Sequence, residues 1–227
     1  MLEKLVQKYG STPFRPKMNF YREDGIKISK KFTFTSAKDY LDDYLNYYKK
    51  LADFEMVINN SCTGIFEFTY LGSTYRVRHP HQQHYKTHNG EDRGIEVSKL
   101  NDMSKKLLNL SEVISKTETF EDLFEIVKKE KVQGFGPLAI YDTSVRIGAS
   151  LNIAPKKVYL HAGAQRGMTN LEEKKLVPFG ISGCVNEPVS VCDLPNELKV
   201  LHPIQIENFL CLYKDEFTKL PNDEIDL

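Results

Sequence analysis

Residues 119 to 151, TFEDLFEIVKKEKVQGFGPLAIYDTSVRIGASL, limit the possible folds more than any other stretch of the chain. Thr119 is suited to cap a helix whose first turn carries Glu121 and Asp122 and whose last turn carries Lys128 and Lys129, a charge order that complements the helix dipole. Phe120, Leu123, Phe124 and Val127 recur at the spacing of one buried stripe. The run then breaks at KVQGFG, and Pro137 takes the first position of a second helix, where a missing N–H costs nothing. There Leu138, Tyr141, Val145 and Gly148 follow core-facing spacing, while Asp142 and Arg146, four apart, share another face. Two helices joined by so short a loop must turn a tight corner.

The other elements are read from the same local signals. Residues 26 to 35, IKISKKFTFT, alternate as a strand does. Ser36 and Asp39 resemble a capping box before a helix on which Tyr40, Leu41, Tyr44, Leu45, Tyr48 and Leu51 recur, so its tyrosines, Tyr47 included, are expected to cover a small sheet. IFEFTYLGSTYRVRH reads as a β-hairpin, with Phe66, Phe68 and Tyr70 on one face, Gly72-Ser73 at the turn, and Tyr75 and Val77 continuing that face. A helix is expected from Asn101 to about Lys116, and another from Pro203 with Ile206, Phe209, Leu210 and Tyr213 on one side. Leu176 to Leu194 reads as irregular, and the tail PNDEIDL as frayed. The expected class is α+β: a small N-terminal α/β unit with a β-hairpin, then a mainly helical part. The boundary falls near residue 100, giving units 1–100 and 101–227 or one continuous domain.

Composition excludes several classes. With 41% hydrophobic and 27% charged residues among 227, the chain can bury a core, and wholesale disorder is not expected. Net charge is zero, yet basic residues gather between Lys128 and Lys175 and acidic ones from Asp193 onward, which permits a polyanion partner and equally permits one half docking on the other. Cys62, Cys184, Cys192 and Cys211 form no CxxC pair, which favours reduced thiols. MLEKLVQKYG lacks a signal-peptide core and no run reaches membrane-spanning length, so a cytoplasmic protein without a membrane partner is expected. There is no Walker loop, GxGxxG, HExxH or nucleophile elbow; Ser144, Asp142 and His161 therefore do not make a triad.

The corner at Val132, Gly134, Phe135 and Gly136, with the helix from Pro137, resembles the helix-hairpin-helix motif, a DNA-binding element of many repair proteins that does not read sequence. The resemblance covers residues 119 to 151. It implies a DNA phosphate held by the loop amides of Gly134, Phe135 and Gly136 and by the second helix's N-terminus, with Lys128, Lys129, Lys131 and Arg146 nearby. Convergent amides and a helix N-terminus bind anions for general reasons. The chain departs from the glycosylases of that family. Pro137-Leu138 stands where their lysine nucleophile would be, and Asp142 lies closer to the loop than their aspartate, so glycosylase chemistry is not implied. The alternative is a plain packing corner.

Two further clusters carry chemistry. His79, His81, His84 and His88 crowd into RHPHQQHYKTH. If Pro80 opens a short helix ended by Gly90, then His81, His84 and His88 share a face and become candidate metal ligands, with Glu91 or Asp92 adding oxygen. Otherwise Arg76, Arg78, His79 and Lys86, with Tyr75 and Tyr85, form a cationic, aromatic surface suited to nucleic acid. In KKVYLHAGAQRG, His161 is a candidate general acid or base and Arg166 a candidate phosphate or carboxylate clamp. The leading expectation is backbone-directed nucleic-acid binding, DNA before RNA, with no obligatory cofactor. The alternatives are an enzyme on a nucleotide or phosphorylated substrate using His161 and Arg166, with a metal as an option, and a protein-interaction module.

Overall fold

The computed structural model describes residues 1–21, 27–86, 88–183 and 188–221. In chain order the elements are α1 (Leu2–Ser11), β1 (Lys17–Tyr21), β2 (Lys27–Lys31), α2 (Ala37–Lys50), α3 (Phe54–Thr63), β3 (Ile65–Tyr70), β4 (Ser73–Arg78), β5 (His84–Lys86), β6 (Asp92–Gly94), α4 (Val97–Leu108), α5 (Ser111–Ser115), α6 (Phe120–Lys129), α7 (Pro137–Leu151), β7 (Lys157–Val158), α8 (Ala162–Glu173), β8 (Val189–Ser190) and α9 (Pro203–Phe217). The strands pair antiparallel as β1–β2, β3–β4, β5–β6 and β7–β8. The class is α+β. Among the described residues no helix is long and apolar enough to cross a membrane.

The chain divides into two compact units. The larger comprises Pro13–Phe34 and Asp39–Ala154. Its helical core gathers Val57, Ile58, Cys62, Leu100, Met103, Leu107, Leu123, Val127, Phe135, Ile140 and Ile147, with α3 packed on α4 and α7, and α6 on α7. Asp53 caps α3 by accepting from the amides of Glu55 and Met56, and Gly64 ends it in the left-handed conformation. These cap signals stand in the sequence on either side of an apolar run.

Against these helices lies an aromatic layer. In the β3–β4 register Phe66 faces Val77 and Phe68 faces Tyr75, and Tyr44 meets Phe66 edge-on with ring centres 4.8 Å apart. Tyr40 also contacts Phe66, so these tyrosines cover the hairpin. The hairpin turn is Leu71-Gly72, both at positive φ, one residue earlier than the expected Gly72-Ser73; two such residues match the right-handed twist of the strands.

Two other expectations are corrected. The helix expected from Asn101 to Lys116 is two helices, α4 beginning four residues sooner and α5 following a break at Asn109-Leu110. Pro80 opens only a single 3₁₀ turn, Pro80–Gln82, after which the chain extends into β5. It forms no helix carrying His81, His84 and His88.

The smaller unit comprises Met1–Thr12, Thr35–Lys38 and Pro155–Leu227. Here α8 packs on α9, and α1 also meets α9. A side chain at Gly167 would collide with the Leu210 backbone, so α8 needs a bare Cα at its crossing with α9. Tyr9 donates to Asn208 at 3.0 Å. Pro203 opens α9, and Ile206, Phe209 and Leu210 are buried. The segment from Leu176 contributes 3₁₀ turns at Ile181–Gly183 and Val191–Asp193 and the short β8. Ile26, Cys184 and tail residues 222–227 lie outside the described residues.

Candidate functional site

The corner between α6 and α7 is built from backbone. Thr119 Oγ1 accepts from the Asp122 amide at 3.1 Å, fixing the start of α6. After α6 the Phe135 amide donates to the Val132 carbonyl at 3.0 Å, closing a four-residue turn whose third residue, Gly134, has φ +87°. That φ is open to glycine and costly for most other residues. Phe135 then turns inward and is 2% exposed in the helical core. Gly136, at φ −78° and ψ 177°, is the N-cap of α7, with no side chain capping the helix and Pro137 in its first turn.

Gly136 differs from Gly134 in an informative way. Its backbone conformation is available to any residue, and a Cβ added there would meet nothing within 4 Å. As an N-cap, glycine is acceptable, level with Thr and only slightly below Ser, Asp or Asn. Among the described residues, none accepts from the Gly134 or Gly136 amide. The unpaired amides at the start of α7 add a partial positive charge. Lys129 and Lys131 are exposed. Lys128 also stands at this end of α6, where it pairs with Glu125 at 2.8 Å.

Arg146 does not belong to this surface. It is 0% exposed. Its Nη1 donates to the Ser61 carbonyl at 2.8 Å and its Nη2 to Gln82 Oε1 at 2.7 Å. Nη2 also reaches Asp142 Oδ2 at 3.3 Å, and Nε donates to the Tyr44 hydroxyl. The Ser61 carbonyl lies in the last turn of α3, where orphan acceptors and the negative dipole end favour a cation. The sequence shows a helical Asp–Arg pair; it does not show that the pair points inward and ties α2, α3, the 3₁₀ turn and α7 together.

Around Asp142 the structure forms a cluster that sequence spacing alone did not reveal. His81 Nδ1 lies 2.9 Å from Asp142 Oδ2, and His79 Nδ1 lies 4.0 Å from the same oxygen. Gln82 Nε2 donates to that oxygen at 3.3 Å. The Asp142 and His79 side chains are 14% and 18% exposed, and that of His81 38%. Burial pushes the Asp142 carboxyl up, but Arg146 and the His81 hydrogen bond outweigh it and hold the group well below the usual carboxylate range. Burial, reinforced by His81, holds the His79 imidazole well below the ordinary histidine value, so it is neutral. Burial likewise pushes the Tyr44 hydroxyl up to about 12 despite Arg146.

The remaining candidates are dispersed. His84 faces Asp92 at 3.6 Å in the β5–β6 hairpin, where Asp92 also pairs with Lys86, while Glu91 pairs with Arg93. His88 is in an exposed turn. His84 and His88 are therefore not brought to His81. A cavity of about 450 Å³ is lined by residues that include Arg76, Arg78 and His84; Arg76 is engaged by Glu67 at 3.0 Å. In the other unit, His161 is the N-cap residue of α8 and lies beside the Tyr159 ring. Arg166 is exposed and pairs with Asp215 at 3.4 Å.

The signal for the Asp142 cluster was divided. The histidines were visible as a local run, and Asp142 as half of a helical charge pair, but only the packing of the 3₁₀ turn on α7 joins them. Comparison of this chain with protein-family models, with curated proteins and with solved structures finds no match.

Proposed function

We propose that this protein binds nucleic acid, DNA in preference to RNA, by holding a backbone phosphate at the α6–α7 corner. The observation that carries this reading is Gly136. Neither backbone conformation nor packing requires glycine there, and Ser, Asp or Asn would cap α7 somewhat better, while the bare backbone leaves the end of α7 open to close approach by an anion. Gly134 supplies the turn, buried Phe135 anchors it, and the exposed Lys129 and Lys131 extend the positive surface along the strand. Lys128 contributes less, because it shares its charge with Glu125 in an exposed ion pair. Contacts of this kind position a duplex without reading bases, so sequence specificity is low.

The experiment is fluorescence anisotropy with labelled duplex DNA, comparing the wild type with Gly136→Val. Valine is compatible with the local φ and its Cβ lies in open space, so its side chain obstructs the phosphate, and circular dichroism checks that the variant, with a weaker N-cap, is folded. The reading requires a loss of affinity in a folded variant.

A further inference from the structure

We propose that His79, His81 and Asp142 form a binding site for a divalent transition metal, with one coordination position left to solvent. The three donor atoms lie within 4.8 Å of one another. Tetrahedral sites with bonds of about 2.0–2.2 Å separate donor atoms by roughly 3.3–3.5 Å. The observed separations from Asp142 Oδ2, 2.9 Å to His81 Nδ1 and 4.0 Å to His79 Nδ1, lie on either side of that value. The third side, between the two imidazoles, is no longer than 4.8 Å, so shifts of about an ångström bring all three donors to ligand spacing.

The chemistry of the donors supports the same conclusion. His79 Nδ1 accepts from the His81 amide at 3.4 Å, so it carries a lone pair and no proton, and a metal would have to displace this long hydrogen bond to use it. His81 reaches Asp142 through its own Nδ1 and would bind a metal there as the tautomer that carries its proton on Nε2. Gln82 and Arg146 both donate to Asp142 Oδ2, the same oxygen that His81 reaches, and fix the carboxylate's rotamer, so a metal would enter by replacing the His81 hydrogen bond to that oxygen. Two imidazoles and one carboxylate suit zinc, cobalt, nickel or copper. Magnesium and calcium are disfavoured because they take mostly oxygen ligands.

Arg146 places a fixed positive charge beside the carboxylate, which weakens affinity relative to a site without it and further disfavours hard cations bound mainly by charge. The partly exposed His81 side chain marks the open face. A metal there would be available to polarise an oxygen ligand from solvent or substrate.

The test is titration of tag-free protein with Co²⁺, read by its visible ligand-field absorption, and with Zn²⁺ by calorimetry. Wild type, His81→Ala and His84→Ala are compared, each checked by circular dichroism. The expected result is one metal per chain, an affinity lowered about 100-fold or more in His81→Ala, and no change in His84→Ala. The proposal is overturned if the wild type takes up neither metal stoichiometrically. It is equally overturned if folded His81→Ala binds as the wild type does, or if His84→Ala loses as much affinity as His81→Ala. His81 is partly exposed, so its removal tests the site without opening the core.

Discussion

Arg146 Nη2 and Asp142 Oδ2, one helical turn apart on α7, meet at 3.3 Å, and the arginine side chain is wholly removed from solvent. Such a pair is not by itself a source of stability, because desolvating both ions offsets most of their attraction. Its value lies in what it connects: one guanidinium links the end of α3, the hydroxyl of Tyr44, Gln82 and α7. Truncating one partner leaves the others desolvated without a counter-charge. Arg146→Ala is expected to destabilise the protein by about 3–5 kcal/mol in urea unfolding. The double variant Arg146→Met with Asp142→Leu should cost less than the two single changes added together. Additive losses would contradict coupling between them.

The thiol of Cys62 is 0% exposed, and burial, against a smaller opposing effect of Arg146, pushes it up to about 12. At pH 8 its thiolate fraction is therefore about one in ten thousand. Cys192 is exposed. A disulfide reagent should label Cys192 promptly and Cys62 only under denaturing conditions, as read by mass spectrometry of the peptides. Prompt native labelling of Cys62 would show that the α3 core opens readily.

Glu172 on α8 holds the following loop, accepting from the Gly180 amide at 2.7 Å and the Ser182 amide at 2.9 Å. The hydrogen bond from the Ser182 side chain, with those two amides, lowers its pKa below 4.5. A carboxylate depressed in the folded state stabilises above its unfolded pKa, and this contribution is lost as pH falls through the folded value. Glu172→Gln should lower Tm by about 2–4 °C near neutrality, and the difference from wild type should vanish well below pH 4.5. A constant difference across that range would assign the effect to shape, not charge.

The parts of the fold that were legible in the sequence are those set by neighbours along the chain. Thr119, Pro137 and Pro203 each stand where a helix begins, and the alternation around Gly72 marks β3 and β4. The inward placing of Arg146 was not legible, because its i,i+4 spacing to Asp142 is the same for an exposed pair and a buried one. The helix expected from Pro80 failed because Gln82 and Gln83 are held by tertiary bonds. Gln82 serves Arg146 and Asp142, and Gln83 Oε1 accepts from Asn19 Nδ2 on β1. Such bonds fix an extended exit that local propensity does not encode.

The salt dependence of duplex DNA affinity tests phosphate binding at the α6–α7 corner most directly. Each phosphate neutralised by a lysine contributes about −0.9 to the slope of log Kobs against log salt. Replacing both Lys129 and Lys131 with Gln should make that slope shallower by about 1.8, and Gly136→Val should weaken binding throughout the series. Folded variants whose slope and affinity match the wild type would contradict phosphate binding and make the corner a packing device.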